Sequence, residues 1–89
     1  MKNKIALVTG GVGGIGTAIC IALAKKDYFV IANYLLPGSE ITWQAKMKAA
    51  GFAADDCAIA LADVSDFNAS GKMIADIQAT HGEISVLIN

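Results

Sequence analysis

Thr9-Gly10-Gly11-Val12-Gly13-Gly14-Ile15-Gly16 is the stretch that decides how this chain folds. It follows an apolar run, Ile5-Ala6-Leu7-Val8, and leads into Ile15, Ala18, Ile19, Ala22 and Leu23, which recur at helical spacing. A strand, a glycine-rich turn and a helix in that order place open backbone N–H groups and the positive end of a helix dipole at one point. Such a point attracts the anionic oxygens of a diphosphate, and glycine removes the Cβ that would hold them away. A flexible turn between core elements is the plainer reading. No Lys-Ser or Lys-Thr follows the glycines, so a Walker-type phosphate loop is excluded.

Working outward, Lys4 to Thr9 reads as the first strand and Ile15 to about Lys26 as the first helix, with Lys25 and Lys26 where cations suit the dipole. Tyr28 to Tyr34 is a second strand, too short and too aromatic for a helix. Pro37-Gly38-Ser39 is a turn with Ser39 as a helix cap, Glu40 to Ala50 a second helix, and Gly51 its C-terminal stop. Cys57 to Leu61 is a third strand. Ser65 or Asp66 caps a third helix, along which Phe67, Ser70, Ile74, Ile77 and His81 share a face before Gly82 ends it. Ile84 to Ile88 is a fourth strand. The βαβαβαβ order with short connections predicts an α/β, doubly wound parallel sheet in strand order 3-2-1-4. Ligands would then bind at the carboxyl ends of strands one and four, above the glycine turn.

Composition agrees with a buried parallel sheet. The chain has 89 residues, 55% of them hydrophobic, and a mean hydropathy of +0.53, as near-continuous apolar strands require. At this length only roughly 60–65% of the unfolded surface is buried on folding, so the core has little margin. A net charge of −1 without a basic stripe argues against a nucleic-acid partner. No apolar run approaches the ~18 residues of a membrane span, and none matches a targeting leader. Cys20 and Cys57 form no C-x-x-C and read as reduced, buried thiols. No metal site is expected.

Three positions beyond the glycines bear on a nucleotide. Asp63 lies just past strand three, on the ligand edge, and is equally suited to accept from an adenine amino group or to form its own turn with Ser65. Asn33 lies near the end of strand two, about 20 residues beyond the glycines, where an NAD site usually places an acid for the ribose hydroxyls. No acid lies between Asp27 and Glu40, so nothing there repels a 2′-phosphate, and no Arg or Lys attracts one. That absence leans toward NADP rather than NAD. His81, Trp43, Phe52, Met47 and Met73 read as helix-end or packing residues.

Thr9-Gly10-x-x-x-Gly14-x-Gly16, then Asp63-Val64, then Val86-Leu87-Ile88-Asn89 resemble the short-chain dehydrogenase/reductase family over the whole chain. The resemblance implies a Rossmann-like fold and a nicotinamide cofactor. Gly10, Gly14, Ile15 and Gly16 would form its turn, Asp63 and Val64 its adenine contact, and Asn89 the first residue of an N-N-A-G motif. Within the family, Val8 to Cys20 and the region around Pro37 to Trp43 are similar to bacterial acetoacetyl-CoA reductases. These use NADPH to make (R)-3-hydroxybutyryl-CoA for polyhydroxybutyrate synthesis, as cytoplasmic homotetramers acting on an acyl-CoA. The family's catalytic serine and Tyr-x-x-x-Lys have no counterpart, since Ala32 follows Tyr28 by four and Gly38 follows Tyr34 by four. The expectation is therefore an N-terminal part, residues 1–89, of a single NAD(P)-binding domain without its catalytic part, inactive by itself. A 3-oxoacyl-carrier-protein reductase shares every motif, and a non-catalytic nucleotide-binding module is the alternative of another class.

Overall fold

The computed structural model describes residues 4–89, in which strands and helices alternate: β1 (Lys4–Val8), α1 (Gly14–Ala24), β2 (Tyr28–Tyr34), α2 (Ser39–Ala49), β3 (Cys57–Leu61), α3 (Phe67–Thr80) and β4 (Ile84–Ile88). The strands pair in parallel in the expected order, β3-β2-β1-β4. Among the described residues no helix is long and apolar enough to cross a membrane.

The pleat sends alternate side chains to opposite faces. Val8, Val30 and Ala32 meet Cys20 and Ala24 of α1 and Trp43 and Met47 of α2. Ile5, Leu7 and Ile31 meet Met73 and Ile77 of α3. The central strands β1 and β2 are thus apolar on both faces, whereas the outer strands β3 and β4 are half-buried. β4 carries an irregularity. Ile5 pairs with Ile84, but Ala6 pairs with Val86, so Ser85 is an extra residue. That single insertion moves Ile88 to the α1 face while Ile84 stays on the α3 face.

Several ends differ from the sequence reading for local reasons. α1 stops at Ala24 because the next amides tighten to i−3 bonds, Lys26 N–H to Leu23 O at 2.9 Å and Asp27 N–H to Ala24 O at 3.1 Å. Lys25 and Lys26 therefore lie just past the last turn. Gly38, with φ of 99°, caps α2 in place of Ser39, whose Oγ donates back to Leu36 O at 2.6 Å. Asp66, not Ser65, caps α3, accepting from Ala69 N–H at 3.0 Å. The buried face of α3 runs through Met73 and Ile77, and Phe67 is 91% exposed.

The two thiols also differ. Cys20 is fully buried, and burial pushes its pKa up to about 11, while Cys57 is only half-buried at the start of β3. At pH 7 only about one Cys20 thiol in ten thousand is ionised, and the thiolate is the reacting form. Iodoacetamide should label Cys57 well before Cys20, with Cys20 labelling rising about tenfold per pH unit up to its pKa. Peptide mapping by mass spectrometry across pH 7–9 checks this, and equal labelling at pH 7 would contradict it.

Candidate cofactor site

β1 delivers the chain to Thr9, whose N–H still donates to Ile88 O of β4 at 2.9 Å. Gly10 then turns it with φ of 62°, a left-handed conformation that a side chain disfavours. Gly13 N–H returns to Gly10 O at 3.3 Å, and Gly13 becomes the helix cap. α1 starts without a side-chain cap and without an acid in its first turn. Thr17 closes that turn, its N–H and its Oγ1 each donating to Gly13 O at 2.7 Å. The amides of Gly14, Ile15 and Gly16 donate to no protein group. Three open donors at the positive end of a helix make a seat for an anion.

The glycines divide by role. A Cβ on Gly16 would collide with the backbone of Gly10 and Gly11, and a Cβ on Gly11 would stand 2.9 Å from both Ala32 Cβ and Val8 O. These two let the turn lie flat against itself and against β2. A Cβ on Gly10 or Gly14 would meet nothing within 4 Å, so both border open space above the free amides.

The neighbouring strand ends complete the shelf. Asn89 sits beside Thr9, whose Oγ1 lies 3.1 Å from Asn89 Oδ1 and 3.3 Å from Ile88 O. Asn33 does not face the open side. It is 3% exposed, its Oδ1 accepts from Gly10 N–H at 3.3 Å, and its Nδ2 donates to Ala60 O at 3.2 Å and Ala62 O at 3.0 Å. Asp63 adopts the turn-forming arrangement, Oδ1 accepting from Ser65 N–H at 2.9 Å and Ser65 Oγ at 2.6 Å. These bonds hold its carboxyl below the usual range while leaving it exposed to a ligand. Val64 and Ile15 are exposed apolar residues on the same edge, Ile15 by 82%. An apolar surface beside an acceptor and three open amides can take a flat base at one end and a diphosphate at the other.

Some of this geometry lay outside the sequence reading. Thr17 carried no motif of its own, although a hydroxyl four residues after Gly13 is placed to reach its carbonyl. Gly11 was covered by the flanking glycines, and its need for space arises only from Ala32 on another strand. Glu40 lies close to the end of β2, because Gly38 bends the loop back. Its carboxylate accepts from Gly38 N–H at 2.6 Å and from the Tyr34 hydroxyl at 3.3 Å. Among the described residues, no group of three or more His, Cys, Asp or Glu side chains could hold a metal ion. Two cavities lie away from the turn, one of 390 Å³ between β3 and α3 and one of 580 Å³ between α2 and β3.

Comparison with known proteins agrees with this geometry. The family model described as short chain dehydrogenase matches residues 4–89. Nodulation protein G of Azospirillum brasilense is 46% identical across 100% of this chain and 35% of its own length. An acetoacetyl-CoA reductase of Allochromatium vinosum is 43% identical across 97% of this chain and 35% of its own. The chain therefore spans about a third of the length of these relatives. A crystal structure of an actinorhodin polyketide ketoreductase variant with NADPH superposes with a TM-score of 0.85 at 24% identity, covering 98% of this chain and 33% of that one, which supports the fold. The chain belongs to the short-chain dehydrogenase family, several of whose members among these relatives are named as reductases, which makes it part of an oxidoreductase.

Proposed function

We propose that this chain forms the adenosine- and diphosphate-binding portion of an NADPH-dependent acetoacetyl-CoA reductase. The observation that carries the reading is the set of open amides at Gly14, Ile15 and Gly16 beneath the Cβ-free space of Gly10 and Gly14. A bound nicotinamide would supply hydride for reduction of a 3-oxoacyl carbonyl. The residues here would do the holding: the three amides would donate to the diphosphate oxygens, Asp63 would accept from the adenine amino group, and Val64 and Ile15 would cover the base. The acyl-CoA substrate is favoured over an acyl-carrier protein by the reductases among the relatives. Preference for NADPH over NADH rests on β2 and the turn after it, residues 28–39, holding no acid for the ribose hydroxyls, while the Glu40 carboxylate is turned to Gly38 N–H and the Tyr34 hydroxyl. A longer protein containing this segment would act as a homotetramer in the cytoplasm.

Titration of the chain with NADPH and NADH, followed by amide resonances, tests this. The amides of Gly14, Ile15 and Gly16 should move most, and NADPH should bind more tightly. Shifts confined elsewhere would overturn the site, and tighter NADH binding would overturn the cofactor preference. No carbonyl reduction is expected from the chain alone, because no Tyr-x-x-x-Lys is present. NADPH oxidation with acetoacetyl-CoA above a heat-killed control, in a preparation free of host enzymes, would contradict that.

A further inference from the structure

We propose that Asn33 is a positioning residue for the nucleotide, a buried clasp that sets the separation between the diphosphate turn and the adenine-side turn. The proposal rests on the nucleotide reading above.

Asn33 lies on the α3 face of β2, in line with Ile31 and against Met73 Sδ at 3.6 Å. A primary amide on an apolar face is costly unless its bonds are made. Here they are made, and they run to two different turns. Oδ1 holds the N–H of Gly10, the residue that starts the diphosphate turn. Nδ2 holds Ala60 O, its partner across the β2–β3 ladder, and Ala62 O, one residue before Asp63. The backbone adds to this, since Asn33 O accepts from Gly11 N–H at 3.1 Å. Among the described residues no other side chain bonds to both turns.

The amide is the group this position requires. One acceptor and two donors on a single planar end serve Gly10 and the two alanine carbonyls together. A carboxylate of the same shape keeps the acceptor and turns its other oxygen onto two carbonyl oxygens. A hydroxyl has one donor and a shorter reach. Leucine leaves Gly10 N–H and both carbonyls without that partner. Cofactor recognition at the end of β2 thus includes a residue that never faces the cofactor.

The test is Asn33→Asp in the full chain, with ADP-ribose as the probe because it has no group titrating between pH 5 and 8. Burial and two facing carbonyl oxygens hold the introduced carboxyl above its ordinary range. At pH 8 it is ionised, and ADP-ribose affinity should fall at least tenfold against wild type. As pH drops toward 5 it protonates, its O–H donates to one alanine carbonyl, and the gap should narrow. The other charged groups nearby do not produce this dependence. Asp63 is held below the usual range and stays ionised, Lys72 and Asp76 of α3 are exposed and paired with each other, Glu40 bonds to Tyr34 on the opposite face of β2, and His81, stacked on Phe29 at the far end of the same face, is common to variant and wild type and cancels from the comparison. Equal affinity at pH 8, or a loss that does not change with pH, would overturn the proposal. A wild-type chain that does not bind ADP-ribose overturns the nucleotide reading instead. Should the variant not fold at pH 8, hydrogen exchange of the wild-type side-chain amide decides. The Asn33 NH2 should exchange far more slowly than that of exposed Asn68, and more slowly still with ADP-ribose. Exchange as fast as Asn68, or unchanged by the ligand, would overturn it.

Discussion

Gly16→Ala should remove nucleotide binding and lower the melting temperature of the chain by 10 °C or more. The added Cβ would collide with Gly10 O and stand 2.7 Å from Gly11 Cα and 2.8 Å from Gly11 C. All three are backbone atoms of the turn, so no side chain can swing aside. Overpacking costs about 1–3 kcal/mol where neighbours can adjust, and backbone contacts put this case at about 3 kcal/mol. In a domain of this size each kcal/mol shifts the melting temperature by roughly 4–8 °C. Gly14→Ala should separate folding from binding. Its Cβ would meet no atom within 4 Å, and alanine is the better helix former, so the melt should stay within a few degrees of wild type. The same Cβ would enter the space above the open amides, and ADP-ribose affinity should fall. Circular dichroism melts alongside binding curves for both variants check the pair. A Gly16→Ala chain that melts and binds like wild type would refute the close-approach argument.

Trp43→Ala should leave the chain largely unfolded at 25 °C. Trp43 is 1% exposed and is the largest fully buried side chain, joining α2 to Cys20, Val30 and Ala32. Truncating a buried tryptophan costs about 3–5 kcal/mol. The small buried fraction of an 89-residue chain puts its total near the low end of about 0.05–0.15 kcal/mol per residue, about 4 kcal/mol, so this one change removes most or all of it. The truncation would also open the core to the 580 Å³ cavity that Trp43 lines between α2 and β3. Trp43→Phe should be far milder. The indole N–H meets no oxygen or nitrogen acceptor and faces the Cys20 sulfur, a weak one, so deleting this poorly satisfied donor offsets part of the lost volume. Far-ultraviolet circular dichroism at 25 °C and urea titrations distinguish the two. A native-like Trp43→Ala spectrum would mean that the α1–α2 face contributes less than its burial implies.

Much of this architecture is local in origin, and so is legible in the chain. β2, β3 and β4 span the residues their apolar runs mark, since Asp27 and Pro37, Asp56 and Asp63, and Gly82 and Asn89 punctuate them within three positions. Gly51 and Gly82 end α2 and α3 in the left-handed conformation that a helix stop requires. Gly10 and Gly14 border the open seat because a strand, a glycine turn and a helix can be joined at that spacing in few ways. The strand order followed from short crossovers and the hand they impose.

What tertiary structure alone decided are the matters that depend on which element lies next door. Phe67 and Met73 both suit a buried helix face, and only the docking of α3 on Leu7 and Ile31 selects Met73 and leaves Phe67 in solvent. Ser85 has nothing in its sequence to mark a bulge, and the mismatch with β1 creates it. Gly11 must be small because Ala32 of β2 stands against it. Asn33 occupies the position where a ribose contact was expected, but the pleat turns it inward, as position 33 shares the odd-numbered face of Phe29 and Ile31. Position along the chain sets the strand and its end. Parity and the neighbouring layer set which way a side chain points, and with that whether it meets the ligand or the core.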